Sequence, residues 1–143
     1  MLRGNYLARV DEKGRVKIPS DFLGELRKLG SKFYVTSAKG DSALVYPMKA
    51  WEEIEAKLAK LSSQHPARVK FLARTSYFGQ VVESDGQGRI LIPPVLREVA
   101  QMKGEVDVAG RLTYLEIWNH QRFLDQHINN NQISAEELEQ LGI

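Results

Sequence analysis

The chain opens on two short segments, Tyr6 to Val10 and Arg15 to Ile18, in which apolar and charged positions alternate. A period of two predicts half-buried strands, and the glycine-containing gap between them predicts a hairpin. Pro19 cannot continue a ladder, so Ser20 or Asp21 is expected to cap a helix with apolar positions Phe22, Leu26 and Leu29, stopped at Gly30. Strands follow near Phe33 to Ser37 and Ala43 to Tyr46. After Pro47 the period becomes helical, with Trp51, Ile54, Leu58 and Leu61 on one face. The stretch from Ser62 breaks that helix, and Pro66 starts another at a position where its missing N–H does no harm.

The pattern then recurs. Asp11-Glu-Lys-Gly-Arg15 returns as Asp85-Gly-Gln-Gly-Arg89, an offset of 74 residues. At that offset Ile18-Pro19 matches Ile92-Pro93, Phe22 matches Leu96 and Gly30 matches Gly104. With a gap of two, Val45-Tyr46 matches Ile117-Trp118 and Trp51 matches Phe123. One shared D-x-x-G-R is a coincidence; the same spacing followed by Ile-Pro, a helical pattern and a glycine is a duplication. The second copy predicts strands near Gln80 to Ser84, Arg89 to Ile92, Glu105 to Val108 and Thr113 to Trp118. Helices are expected around Val95, Leu96 and Val99 and around Phe123, Leu124 and Ile128. Ser134 and Glu137 stand at capping-box spacing for a last short helix. The chain therefore reads as α+β, with one repeat over residues 1–75 (core about 5–47, then a helical appendix). The other spans residues 76–143 (core about 77–120, then C-terminal helices).

Turn chemistry sets the hairpin register. If Glu12, Lys13 and Gly14 form a three-residue loop, Gly14 takes the left-handed position and Gly88 does the same in the second copy. Asp11 then lies opposite Arg15, Val10 opposite Val16, Arg9 opposite Lys17 and Ala8 opposite Ile18, which separates an apolar face from a charged one. A four-residue loop scrambles the faces. The Asp11–Arg15 and Asp85–Arg89 pairs pin the two turns, but an exposed pair of this kind is worth only about 0–1 kcal/mol. Stability alone is thus a weak reason for them. An Asp that fixes the turn while orienting an Arg toward phosphate or a guanine edge is a stronger one.

Composition narrows the class. The 143 residues contain no cysteine, which excludes disulfides and the usual zinc fingers, and no apolar run approaches the ~20 residues of a membrane span. No secretory h-region follows the start, where Arg3 and Arg9 interrupt, so a cytoplasmic, soluble protein is expected. Net charge is +2, but residues 1–73 hold 14 Lys/Arg against 8 Asp/Glu, whereas residues 74–143 hold 6 against 10. Arg3, Arg9, Lys13, Arg15 and Lys17 face only Asp11 and Glu12 within the first twenty residues. Such a basic edge suits a polyanion, or it is simply a solvated charged hairpin. A β-ribbon of this width fits the DNA major groove.

The duplicated D-x-x-x-R hairpins, each followed by proline and a short helix, resemble the MraZ family of bacterial regulators with two SpoVT-AbrB domains. Met1-Leu-Arg-Gly, Asp11-Glu-Lys-Gly-Arg15 and Arg89-Ile-Leu-Ile-Pro-Pro-Val-Leu-Arg97 carry the resemblance, which spans nearly the whole chain. It implies a duplicated AbrB-like swapped-hairpin β-barrel (the double-psi/AbrB type) with flanking helices. It also implies a ring-shaped homo-oligomer on DNA. The target it implies is short direct repeats in the promoter of the division and cell-wall gene cluster, and the setting is the nucleoid. Arg15 is the implied DNA contact and Arg89 its counterpart. Arg9, Lys13 and Lys17 flank Arg15 as expected phosphate contacts, and Arg3 joins them on the basic edge. The second hairpin has Arg89 alone against Glu83 and Asp85, so the first is expected to supply most of the DNA-facing charge. Hairpin two would chiefly complete the barrel or a subunit contact.

Other readings compete. An enzyme finds little support: Ser62, Ser63 and His65 form no nucleophile motif, Asp85-Gly-Gln-Gly lacks the Lys-Ser/Thr of a phosphate loop, and His120 and His127 lack converging ligands. No cofactor or metal is called for. The Trp51 stripe is core or a subunit interface. A ring-forming structural protein that reads no DNA is one alternative. An AbrB-fold antitoxin is another, against which the duplication and the short tail after Ile133 argue.

Overall fold

The computed structural model describes residues 1–143. Each copy contributes four strands and a helix. The first consists of β1 (Asn5–Val10), β2 (Arg15–Lys17), α1 (Ser20–Lys28), β3 (Lys32–Thr36) and β4 (Ala43–Pro47), followed by the helical pair α2 (Met48–Ala59) and α3 (Pro66–Tyr77). The second consists of β5 (Gln80–Glu83), β6 (Arg89–Leu91), α4 (Pro94–Val99), β7 (Gly104–Gly110) and β8 (Leu115–Asn119). After it come α5 (His120–Phe123), a π-helical turn (Leu124–Ile128) and α6 (Ala135–Gln140). No helix is long and apolar enough to cross a membrane.

All eight strands form one antiparallel sheet in the order β5-β3-β4-β8-β7-β1-β2-β6, whose two ends are the strands of one hairpin, so the sheet curls into a nearly closed barrel. The hairpins are exchanged. β1 runs along β7 of the other copy from Asn5↔Ala109 to Val10↔Gly104, and β5 runs along β3 from Lys32↔Glu83 to Val35↔Gln80. Along β2 and β6 the central pair is Val16↔Ile90, and along β4 and β8 it is Leu44↔Glu116. In both pairs a residue meets its own counterpart, which marks where the internal two-fold axis passes. Two further bonds obey the same symmetry: Ile18 N–H donates to the Gly88 carbonyl at 2.9 Å, and Ile92 N–H to the Gly14 carbonyl at 3.0 Å.

The core follows from the two periods. Val16 and Ile18, with Ile90 and Ile92, point inward from the hairpins, and Phe22 and Leu96 descend from α1 and α4. Phe33, Val35, Val45, Val106, Val108 and Ile117 fill the barrel from its walls, all essentially inaccessible. Burying side chains of this size contributes about 1.5–3 kcal/mol each, and because corresponding positions of both copies meet in one core, neither copy has a complete core alone.

Four local expectations meet a different outcome. Ser20 and Asp21 do not cap α1. The helix begins at Ser20 behind Pro19, without a side-chain cap, and Asp21 instead accepts a 2.5 Å bond from the Tyr6 hydroxyl. The first hairpin has the expected Val10↔Val16 register, but its ladder stops at that pair. On its other edge β2 pairs with β6 along its whole length, where Lys17 faces Arg89, while Arg9 faces Glu105 of β7. The Trp51 stripe divides: Trp51 is buried, stacked on Tyr34 at 4.7 Å, while Leu61 is exposed. The helix after β8 widens into the π turn, where His127 packs edge-on against Trp118 at 4.6 Å. The last helix starts with the full capping box between Ser134 and Glu137.

Candidate nucleic-acid interface

Each hairpin tip is built by one aspartate. Asp11 Oδ1 accepts from the backbone N–H of Lys13 (3.0 Å) and of Arg15 (2.8 Å), and Oδ2 accepts from Arg15 Nε at 2.9 Å. Asp85 repeats the arrangement with Gln87 (2.9 Å), Arg89 N–H (3.0 Å) and Arg89 Nε (2.7 Å). The main chain closes each loop: Asp11 N–H donates to the Arg15 carbonyl and Asp85 N–H to that of Arg89, both at 2.9 Å. Gly14 and Gly88 carry φ of +80° and +76°, the left-handed turn position that glycine occupies without strain.

These bonds set the charge state. Backbone N–H donation from Arg15, with its guanidinium, holds the Asp11 carboxyl below the usual range. The equivalent donors at Arg89 and Gln87 hold Asp85 down to about 2. Both aspartates are acceptors only at neutral pH, and each fixes the Nε edge of its arginine. The terminal guanidinium nitrogens are then the part of each side chain not engaged by its own turn.

The two tips are not separate. Arg15 Nη1 lies 3.8 Å from Oδ2 of Asp85, the aspartate of the other hairpin. Asp11, Glu12, Lys13, Arg15 and Arg89 line one shallow hollow of about 340 Å³. On the outer face of the β2–β6 seam Arg15 stands across from Leu91 and Lys17 directly across from Arg89. Opposed like charges on adjacent strands are unfavourable. Their neighbours Val16 and Ile90 are sealed in the core, so this face cannot turn away.

Of the residues singled out from the sequence, Arg15, Lys13 and Arg89 come together in this hollow, with Asp11 beneath them. Lys17 joins across the seam, and Arg9 and Lys17 also line an adjoining groove with Tyr6, Leu7 and Pro19. Gly14 and Gly88 shape the tips. Arg3 lies elsewhere: its flanking Leu2 bridges to Leu112 at the β7–β8 loop, at the end of β1 away from the tip, a strand length of about 17 Å for five steps.

Two features were not read from the sequence. One is the reach of Arg15 to the opposite hairpin, which no local pattern signals. The other is Arg97 of α4, which covers Gly14 so closely that a Cβ there would sit 1.8 Å from Nη1. A signal for Arg97 was available: at the 74-residue offset its counterpart is Leu23, and Leu23 covers Gly88.

A chain whose two halves exchange hairpins to close one barrel is an AbrB-type swapped-hairpin barrel formed within a single polypeptide. A family model described as "MraZ protein, putative antitoxin-like" matches residues 1–74 and again 79–141. The chain belongs to the MraZ family. It is 49% identical to a protein of Koribacter versatilis over the full length of both, and 47% identical to one of Acidobacterium capsulatum over 99% of this chain and 97% of that relative. A protein of Thermoanaerobacter pseudethanolicus is 41% identical over 96% of this chain and 94% of its own. All three bear the name Transcriptional regulator MraZ.

Proposed function

We propose that the protein is a transcriptional regulator that binds double-stranded DNA through the face formed by the two hairpin tips. The relatives' shared name supports regulation of transcription. The observation that carries the DNA reading is the crowding of Arg15, Lys17 and Arg89 over the β2–β6 seam, with both arginines held by aspartates. A face with an excess of cations, whose two guanidinium groups are oriented in advance by aspartates, suits phosphate and guanine recognition.

In this reading Arg15 reads the base edge or its phosphate, and Arg9, Lys13 and Lys17 contact flanking phosphates. Hairpin one supplies most of the charge. Arg89 enters through the shared hollow, while the rest of hairpin two, with Glu83 and Asp85, completes the barrel. Asp11, Gly14, Asp85 and Gly88 fix the turns. Arg3 contributes only where DNA bends toward the far end of β1.

A single tip neutralises few phosphates, so one subunit binds weakly and loses affinity with salt. A homo-oligomeric ring engaging short direct repeats gains through effective concentration, which fits a promoter of the division and cell-wall gene cluster and a nucleoid-associated, cytoplasmic setting. Gel shifts with the DNA upstream of the protein's own coding sequence, trimmed to one, two and three repeats at fixed spacing, test this. Affinity is expected to rise steeply with repeat number and to fall with salt. Equal affinity for all three fragments overturns the oligomeric part, and no salt-sensitive binding overturns the DNA reading in favour of a purely structural assembly.

A further inference from the structure

Each hairpin tip is covered by the fourth residue of a helix from the other copy. Leu23 of α1 covers Gly88, and Arg97 of α4 covers Gly14. The positions correspond, yet one lid is apolar and the other a cation.

Leucine is the undemanding choice. It buries apolar surface against the tip and leaves no polar group without a partner. Arg97 does less well as a lid: its Nε is buried with no hydrogen-bond partner in the chain, and unpaired burial of a donor costs stability. Nor is the charge neutralised by an ion pair. Asp11, Glu12, Glu98 and Lys103 line with Arg97 a second hollow of about 360 Å³, but none of the chain's ion pairs includes Arg97. A residue that seals the tip less well than its counterpart, and stands only beside the more basic hairpin, is explained by a task at that hairpin.

We infer that Arg97, carried by the second copy, is a phosphate contact of the first hairpin's DNA-binding surface. Its guanidinium lies against Gly14, so its terminal nitrogens stand beside the tip, in place to meet a phosphate next to the groove that the tip enters. This rests on the DNA reading above. It adds to that reading that the two tips are made unequal by their lids as well as by their own side chains.

Arg97→Leu copies the lid of the other tip and Arg97→Lys keeps the charge. Thermal melting of each variant is to be measured beside DNA binding over a salt series. Arg97→Leu is expected to melt at or above the wild-type temperature. Its slope of log affinity against log salt should shrink by about 0.9, the value of one phosphate contact, with affinity lowered several-fold to about tenfold. Arg97→Lys is expected to keep the slope. A wild-type slope and affinity in Arg97→Leu overturns the inference. So does a lowered melting temperature in both variants with unchanged slopes, which marks Arg97 as structural. Failure of the parent reading looks different, because then the wild-type protein does not bind, or Arg15→Ala binds as well as wild type.

Discussion

The first and second hairpins share one turn, bond for bond. In each, an aspartate accepts from two backbone N–H groups and from the Nε of an arginine four residues on, and a glycine with φ near +80° completes the loop. They differ in what surrounds that turn. Where hairpin one has Arg9, Lys13 and Lys17, hairpin two has Glu83, Gln87 and Leu91. Where hairpin two is lidded by Leu23, hairpin one is lidded by Arg97. Duplication preserved the geometry that makes a tip and let its charge diverge. Geometry is a folding requirement of both copies, because both hairpins close the same barrel, whereas the barrel makes no such demand on charge.

The comparison is tested most severely at the arginines. Arg15→Ala is expected to lower specific DNA affinity by a factor of ten to a hundred, corresponding to about 1–3 kcal/mol for one oriented arginine, while circular dichroism remains native. Arg89→Ala is expected to cost clearly less. Equal losses in two folded variants would mean that the hollow shared by both tips, rather than hairpin one, is the functional unit.

Next in size are the glycines. Gly14→Ala and Gly88→Ala each force a side chain into the left-handed region, at about 1–2 kcal/mol, and chemical denaturation should show similar losses for both. Gly14→Ala must also displace Arg97, where Gly88→Ala displaces Leu23, so Gly14→Ala is expected to weaken DNA binding more than Gly88→Ala does. A reversed order would place the binding surface on hairpin two.

The flanking lysines should act more mildly. Lys13→Ala or Lys17→Ala is expected to weaken binding to all sequences alike and to reduce the salt slope by about 0.9. The neutral counterparts Gln87 and Leu91, changed to alanine, should leave it untouched.

The smallest effect is on stability in acid. The folded chain depresses Asp85 from 3.8 to about 2, so its carboxylate stabilises the fold above the unfolded value and loses that contribution as pH falls from about 4 toward 2. Asp11 acts in the same direction. Asp85→Asn should flatten the pH dependence of the melting temperature in that window. An unchanged acid limb would show that Asp85 does not bind its turn more tightly when ionised.

Much of this was readable locally. The alternation around Asp11-Glu-Lys-Gly-Arg15 placed Val10 against Val16, because strand period and turn chemistry act over a few residues. Pro66 marked the start of α3, and Ser134 with Glu137 marked α6, since capping depends on groups within one turn. Local reading failed where a distant partner outcompeted the near one. Asp21, in the first turn of α1, bonds Tyr6 instead of capping the helix, and β2 has one pair with β1 against three with β6.

The repeat, its turns and the basic bias of the first hairpin are therefore properties of short stretches, set by steric limits on glycine, by the reach of an aspartate and by the two hydrophobic periods. Which copy each hairpin pairs with, the meeting of Arg15 with Asp85 and the placing of Arg97 over Gly14 arise only when segments from the two halves of the chain share one barrel. Closing that barrel buries the apolar faces of both copies together, and the same closure assembles the charged face from two halves that each carry part of it.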